Sequence, residues 1–114
     1  MISKENAQHY QWGDQCDGWH LAKTERLSVI QELVPPGKAE TRHYHRQAEQ
    51  FFFVLSGTAT LEVSSTLFEL QAQQGKHVPA NTPHQLSNLG TEPLNFLVVS
   101  TPPSHGDRVE HLDE

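Results

Sequence analysis

The chain has one cysteine, one methionine and no run of lysine or arginine among its 114 residues. A single thiol, Cys16, has no internal disulfide partner, so a reducing, cytoplasmic setting is expected. Nothing near Cys16 suggests a lowered thiol pKa, and it reads as a small buried hydrophobe, not a nucleophile. Eight Lys and Arg stand against 14 Asp and Glu, a formal net charge of -6. That balance argues against nucleic acid or an anionic membrane as partner. No apolar run reaches the roughly 18 residues of a membrane helix, and the N-terminus carries no signal-peptide core, so an unexported soluble chain is expected. Hydrophobic residues make up only 35%. So little apolar material in one domain of residues 1–114 implies either subunit association or a partly polar interior. Amphipathic helical periodicity, internal repeats and low-complexity segments are absent too.

What remains is β-structure. Leu27 to Val34 is rich in aliphatic residues and stops at Pro35-Pro36-Gly37, a strong turn signal. Short strands are expected over Thr41 to Arg46, Gln50 to Ser56 and Thr58 to Val63, with a Ser64-Ser65 hairpin leading to Leu67 to Leu70. Gly75 turns into Lys76 to Val78, and Leu94 to Ser100 closes the series. Short strands punctuated by Gly, Pro, Asn and Ser indicate an all-β sandwich or barrel, with its core at about residues 26–101. Met1 to Asn6 and Ser104 to Glu114 read as loosely ordered or partner-dependent ends. Both faces of Leu27 to Val34 carry apolar residues, which predicts a homodimer with its interface on the early strands. Trp12 and Trp19 read as packing an N-terminal strand onto a sheet; the sharper alternative is that one of them walls a ligand pocket.

The chemistry lies in the histidines. His43 and His45 stand two apart, so on a strand both imidazoles share a face. His84, from a distant segment, could complete one face of a metal's coordination sphere. Neutral imidazoles of this kind suit iron, zinc, nickel or copper, and an all-oxygen metal is disfavoured.

The stretch Gly37 to Gly57, GKAETRHYHRQAEQFFFVLSG, resembles the first motif of the cupin superfamily, and Gly75 to Asn88, GKHVPANTPHQLSN, resembles the second. The resemblance implies a double-stranded β-helix, a small jelly-roll barrel, often dimeric. It also implies a metal held by His43, His45, His84 and the ligand position that follows His-x-His. Counting back from Gly57 puts Gln50 at that position, where the family usually has an acid. Glu49, next to it, fits the looser spacing, and strand alternation separates the two. Asn81 stands where the family commonly has Gly, and it tolerates the left-handed backbone such a turn needs.

An amide ligand would leave a divalent ion with its full charge and strengthen its action as a Lewis acid. The resemblance points to an enzyme on a small polar metabolite: a three-histidine iron dioxygenase, or a metal-dependent isomerase or lyase. The alternative is a binding or sensing module with a structural metal. An isomerase or lyase needs a general base, and the nearby candidates are Glu49, Glu62 and Tyr44. Asn88 is expected to bond a turn and His77 to face outward. His9, His20, His105 and His111 are expected to face solvent without a role.

Overall fold

The computed structural model describes residues 1–104 and 106–110. His105 and His111 therefore lie outside the described residues. Eleven strands follow in order: β1 (Gln8–Trp12), β2 (Cys16–Lys23), β3 (Ser28–Val34), β4 (His43–His45), β5 (Glu49–Ser56), β6 (Ala59–Val63), β7 (Thr66–Leu70), β8 (Gly75–Val78), β9 (His84–Ser87), β10 (Leu94–Thr101) and β11 (Arg108–Glu110). No helix among the described residues is long and apolar enough to cross a membrane.

The strands form two antiparallel sheets, one of six in the order β1-β2-β3-β10-β5-β8 and one of five in the order β11-β4-β9-β6-β7. Non-sequential neighbours such as β3 beside β10 and β4 beside β9 are the jelly-roll crossovers that fold the two sheets face to face. Turn chemistry fixes the connections. Ser64 and Ser65 both take positive φ, 49° and 73°, as a two-residue hairpin between Val63 and Thr66 demands. Asn81 has φ 62° and donates its N–H to the His45 carbonyl at 2.7 Å, so the turn keeps its shape with Asn in place of Gly.

Alternation sorts the interior into rungs across the six-stranded sheet. Gln50, Ser100 and Ser28 lie abreast; the next inward rung is Phe52, Val98 and Ile30; then Val54, Phe96 and Glu32; then Leu94 beside Val34. From the facing sheet Ala59, Leu61, Leu70 and Leu86 complete the hydrophobic core. The interior is polar at one end, where Ser28, His43, His45, Gln50, His84 and Ser100 are all buried. The low hydrophobic content thus reflects a partly polar interior.

Two segments depart from the sequence reading. Residues 108–110 are not a loose end, because β11 pairs with β4 through Arg108 to His45, Val109 to Tyr44 and Glu110 to His43. Three residues that alternate poorly give no strand signal on their own. The N-terminal hairpin β1–β2 is likewise part of the six-stranded sheet, outside the expected 26–101 core. Its strands read weakly because Gly18 and charged or polar residues interrupt them.

Candidate metal centre

β4 pairs with β9 at one point, His43 opposite His84, and period two places His45 on the same inner face as His43. The three rings gather: centroids are 4.5 Å apart for His43–His84, 4.9 Å for His43–His45 and 6.0 Å for His45–His84. One nitrogen from each lies within 4.8 Å of the other two.

Hydrogen bonds fix which nitrogens are free to bind an ion. His43 Nδ1 lies 2.7 Å from the Thr41 carbonyl and His84 Nδ1 lies 2.9 Å from the Thr82 carbonyl. A carbonyl only accepts, so each Nδ1 carries the proton and each Nε2 keeps its lone pair. His45 Nδ1 donates in the same way to Asp107 Oδ1 at 3.0 Å. The Nε2 atoms of His45 and His84 are buried without a hydrogen-bond partner. Burial pushes His43 down to about 3, with His84, Arg108 and His45 as lesser like-charge causes, and pushes His84 down to about 4, with His45 and Arg108 as the lesser ones. Burial also lowers His45, against the opposing pull of Asp107. Three neutral imidazoles with unshared Nε2 lone pairs form a donor set that fits a divalent transition ion.

Gln50 is buried beside this cluster. Its amide nitrogen donates to Ser100 Oγ at 2.9 Å, and its Oε1 is buried with no partner. Glu49 points the other way, is exposed, and accepts from His77 Nε2 at 2.7 Å. Glu62, another expected base, is bound bidentate by Arg42 at 2.7 and 3.0 Å, which holds its carboxyl below the usual range. Tyr44 alternates with His43 and His45 and so projects from the opposite face of β4. None of the three lines the cavity beside the cluster.

The sequence reading missed Asp107. Its Oδ1 holds His45, while its Oδ2 accepts the backbone N–H groups of Gln47 and Ala48 at 2.9 and 3.0 Å. Burial raises its carboxyl, but these three donors outweigh burial and leave it below its ordinary value. A carboxylate behind a ligating histidine fixes tautomer and ring orientation. Asp107→Asn is therefore expected to weaken metal affinity about ten- to a hundredfold with the fold intact, measured by competition with a chromogenic chelator.

A cavity of about 330 Å³ opens onto His43, His45 and Gln50. Trp12 forms part of its wall, whereas Trp19 lies on the outer side of the sheet against His9, 5.2 Å between ring centroids. The cavity also holds two carboxyls that the sequence reading did not single out, Glu32 and Glu40. Burial raises Glu32 to about 7, and burial together with the Glu32 charge raises Glu40 to about 8. Tyr10 donates its hydroxyl to Glu32 Oε2 at 3.2 Å. His20 is half-buried with its ring 5.0 Å from Tyr10, so it is not simply solvent-facing as expected. Asn88 does bond a turn, donating to the Val34 and Glu92 carbonyls at 2.9 Å. Cys16 is buried, and burial raises its thiol to about 11, consistent with an inert side chain.

These shifts predict a domed pH profile for the metal-free protein. Between about pH 6.5 and 4 the unfolded chain binds more protons at His43 and His84, so stability falls as pH falls. From 4.5 to about 8 the folded chain binds more protons at Glu32 and Glu40, so stability also falls as pH rises. Urea denaturation midpoints measured with chelator present should peak where the opposing slopes overlap, between about pH 4.5 and 6.5, and Glu32→Gln should flatten the alkaline limb.

A double-stranded β-helix closed over inward imidazoles from two remote motifs defines a class of barrel proteins whose interior fits a metal ion. The chain belongs to that class by sequence as well: the cupin domain model matches residues 30–100, so this is a member of the cupin family. The chain is 30% identical over 89 residues to protein MJ1618 of Methanocaldococcus jannaschii, covering 77% of this chain and 71% of that one. It is also 30% identical to mannose-1-phosphate guanylyltransferase of Klebsiella pneumoniae, over 79% of this chain but only 18% of the enzyme's length. In three dimensions it is similar to the polyketide cyclase RemF of Streptomyces resistomycificus, with TM-score 0.83 and 18% identity over 100% of this chain and 87% of that chain.

Proposed function

We propose that His43, His45 and His84 hold one divalent transition ion, iron, zinc, nickel or copper, with Gln50 Oε1 as a neutral fourth ligand. On this reading the protein is a metal-dependent enzyme acting on a small polar metabolite. Two observations carry it: one ring nitrogen from each of His43, His45 and His84 lies within 4.8 Å of the other two, and the Nε2 atoms of His45 and His84 are buried without a partner. Burying such lone pairs unsatisfied costs about 1–3 kcal/mol each. A bound ion would recover that cost and polarise a substrate oxygen as a Lewis acid. The cavity volume suits a small ligand, and Arg108 on its wall favours an anionic one. The matched segment of a relative named for a sugar phosphate accords with that.

Of the two enzyme classes, the isomerase or lyase is better supported than the dioxygenase. The cavity holds carboxyls whose raised pKa values suit proton exchange near neutrality. The test is metal analysis of protein purified without added metal, followed by oxygen uptake against thiols, diketones and catechols. Metal present with no oxygen uptake supports the non-redox class, and oxygen consumption coupled to one of these substrates supports the dioxygenase. Metal present and no turnover of any tested metabolite would support the non-catalytic binding module.

We also propose that the outer face of the six-stranded sheet pairs with a second copy. Phe51, Val99 and Val29 lie abreast there, next to Phe53 and Leu97, and Phe51 is 41% exposed. Light scattering after size exclusion is expected to give twice the chain mass at micromolar concentration; a monomer mass would remove this proposal.

A further inference from the structure

The rung through β1, β2, β3 and β10 aligns Tyr10, Gly18, Glu32 and Phe96 side by side. Tyr10 and Glu32 are two strands apart, too far for most side-chain pairs to meet. They meet because the strand between them carries no side chain at that place. A Cβ on Gly18 would come within 2.6 Å of the Tyr10 hydroxyl oxygen, so the phenol ring lies across the glycine. Its hydroxyl reaches Glu32, and both groups line the cavity that His43 and His45 also line. Arg108, on the same wall, supplies a positive charge for an anionic substrate.

We propose that Glu32 is the catalytic acid–base of this cavity, with Tyr10 as its positioning residue, and that the substrate is a small anion bearing a carbonyl beside an ionisable C–H. The proposal rests on the metal-enzyme reading above. The Glu32 carboxylate takes the proton from the carbon next to the carbonyl. The C–H electron pair becomes the carbon–carbon double bond of an enolate, and the carbonyl π pair becomes the charge on its oxygen. Return of the proton to the same carbon restores the substrate. Where that carbon bears a hydroxyl, the proton returns instead to the former carbonyl carbon and the hydroxyl proton passes to the oxyanion, giving the isomer. No electrons leave the substrate, so no oxidant is required.

The groups facing Glu32 are Tyr10 from β1, Cys16 from β2, Glu40 before β4 and Arg108 from β11; its neighbour on β10, Phe96, is uncharged. The Tyr10 hydrogen bond favours the carboxylate, so its loss raises the Glu32 pKa.

The experiment follows loss of the pyruvate methyl signal and the dihydroxyacetone phosphate methylene signals in deuterated buffer by proton NMR, with zinc-loaded protein. Zinc content is measured on the same samples. Wild type is expected to exchange at least one probe, and Glu32→Gln to lower the rate by at least about a hundredfold at unchanged zinc content. Tyr10→Phe should move the acid limb of the pH–rate profile to higher pH; a purely structural tyrosine would lower the rate without moving the limb. Glu49→Gln should exchange like wild type. Zinc-loaded wild type that exchanges neither probe, or exchange that survives Glu32→Gln, overturns this proposal alone. Wild type that takes up no zinc at the histidines removes the underlying reading and this proposal with it.

Discussion

His84→Ala is expected to abolish metal binding while the barrel stays folded. His84 is 1% exposed, its Nδ1 is tied to the Thr82 carbonyl, and its Nε2 has no other partner. Removing one of three imidazoles removes a direct donor, and loss of a supporting contact alone already costs about ten- to a hundredfold in affinity. His43→Ala should behave alike. The fold survives because the hydrophobic core is a separate set of residues, among them Leu61, Leu86, Leu94 and Phe96. Truncation also removes a base that resists protonation, so the metal-free variant should lose less stability than wild type between about pH 6.5 and 4. Metal content by mass spectrometry, with thermal melting followed by circular dichroism, checks both parts. Equal metal content in wild type and His84→Ala would take that residue out of the site.

Gly57→Ala has the largest expected effect on stability. Gly57 closes β5 with φ 85°, a conformation that costs an L-residue about 1–2 kcal/mol. A methyl group there would approach the Pro93 carbonyl oxygen at 2.5 Å and Leu94 Cα at 3.0 Å. Both obstacles are backbone at the start of β10, the strand that joins β3 to β5, so relief means shifting the centre of the six-stranded sheet. A loss of about 3 kcal/mol or more is expected, read as a lower urea midpoint at an unchanged denaturant slope. Gly37→Ala is the contrast: φ is 82° but nothing lies within 4 Å, so only the conformational cost applies. Equal losses for the two would mean that contact with Pro93 is not what the Gly57 position requires.

The barrel was legible because its strands are short, β-branched and bounded by turn residues whose backbone demands are local. Ser64, Ser65 and Asn81 all take the left-handed conformations their positions require. The three histidines were legible for a similar reason: their spacing expresses strand period, and period survives without coordinates. The rest of the site depends on partners far apart in sequence. Asp107 stands 62 residues from His45, and no periodicity links a tail residue to a strand that distant. Glu32 read as one polar residue on an alternating strand, and only the register through Gly18 shows what it meets. Glu49 and Tyr44 attracted attention through closeness in sequence, and β-structure turns near neighbours to opposite faces; Glu62 is held instead by Arg42, 20 residues away.

The matched family segment starts at residue 30, so the β1–β2 hairpin that brings Tyr10 and Trp12 to the cavity lies ahead of it. The histidines and the aromatic part of the cavity wall thus come from different stretches of chain. Exchange of this hairpin would reshape one side of the cavity, at Tyr10 and Trp12, while leaving the three imidazoles on β4 and β9 in place.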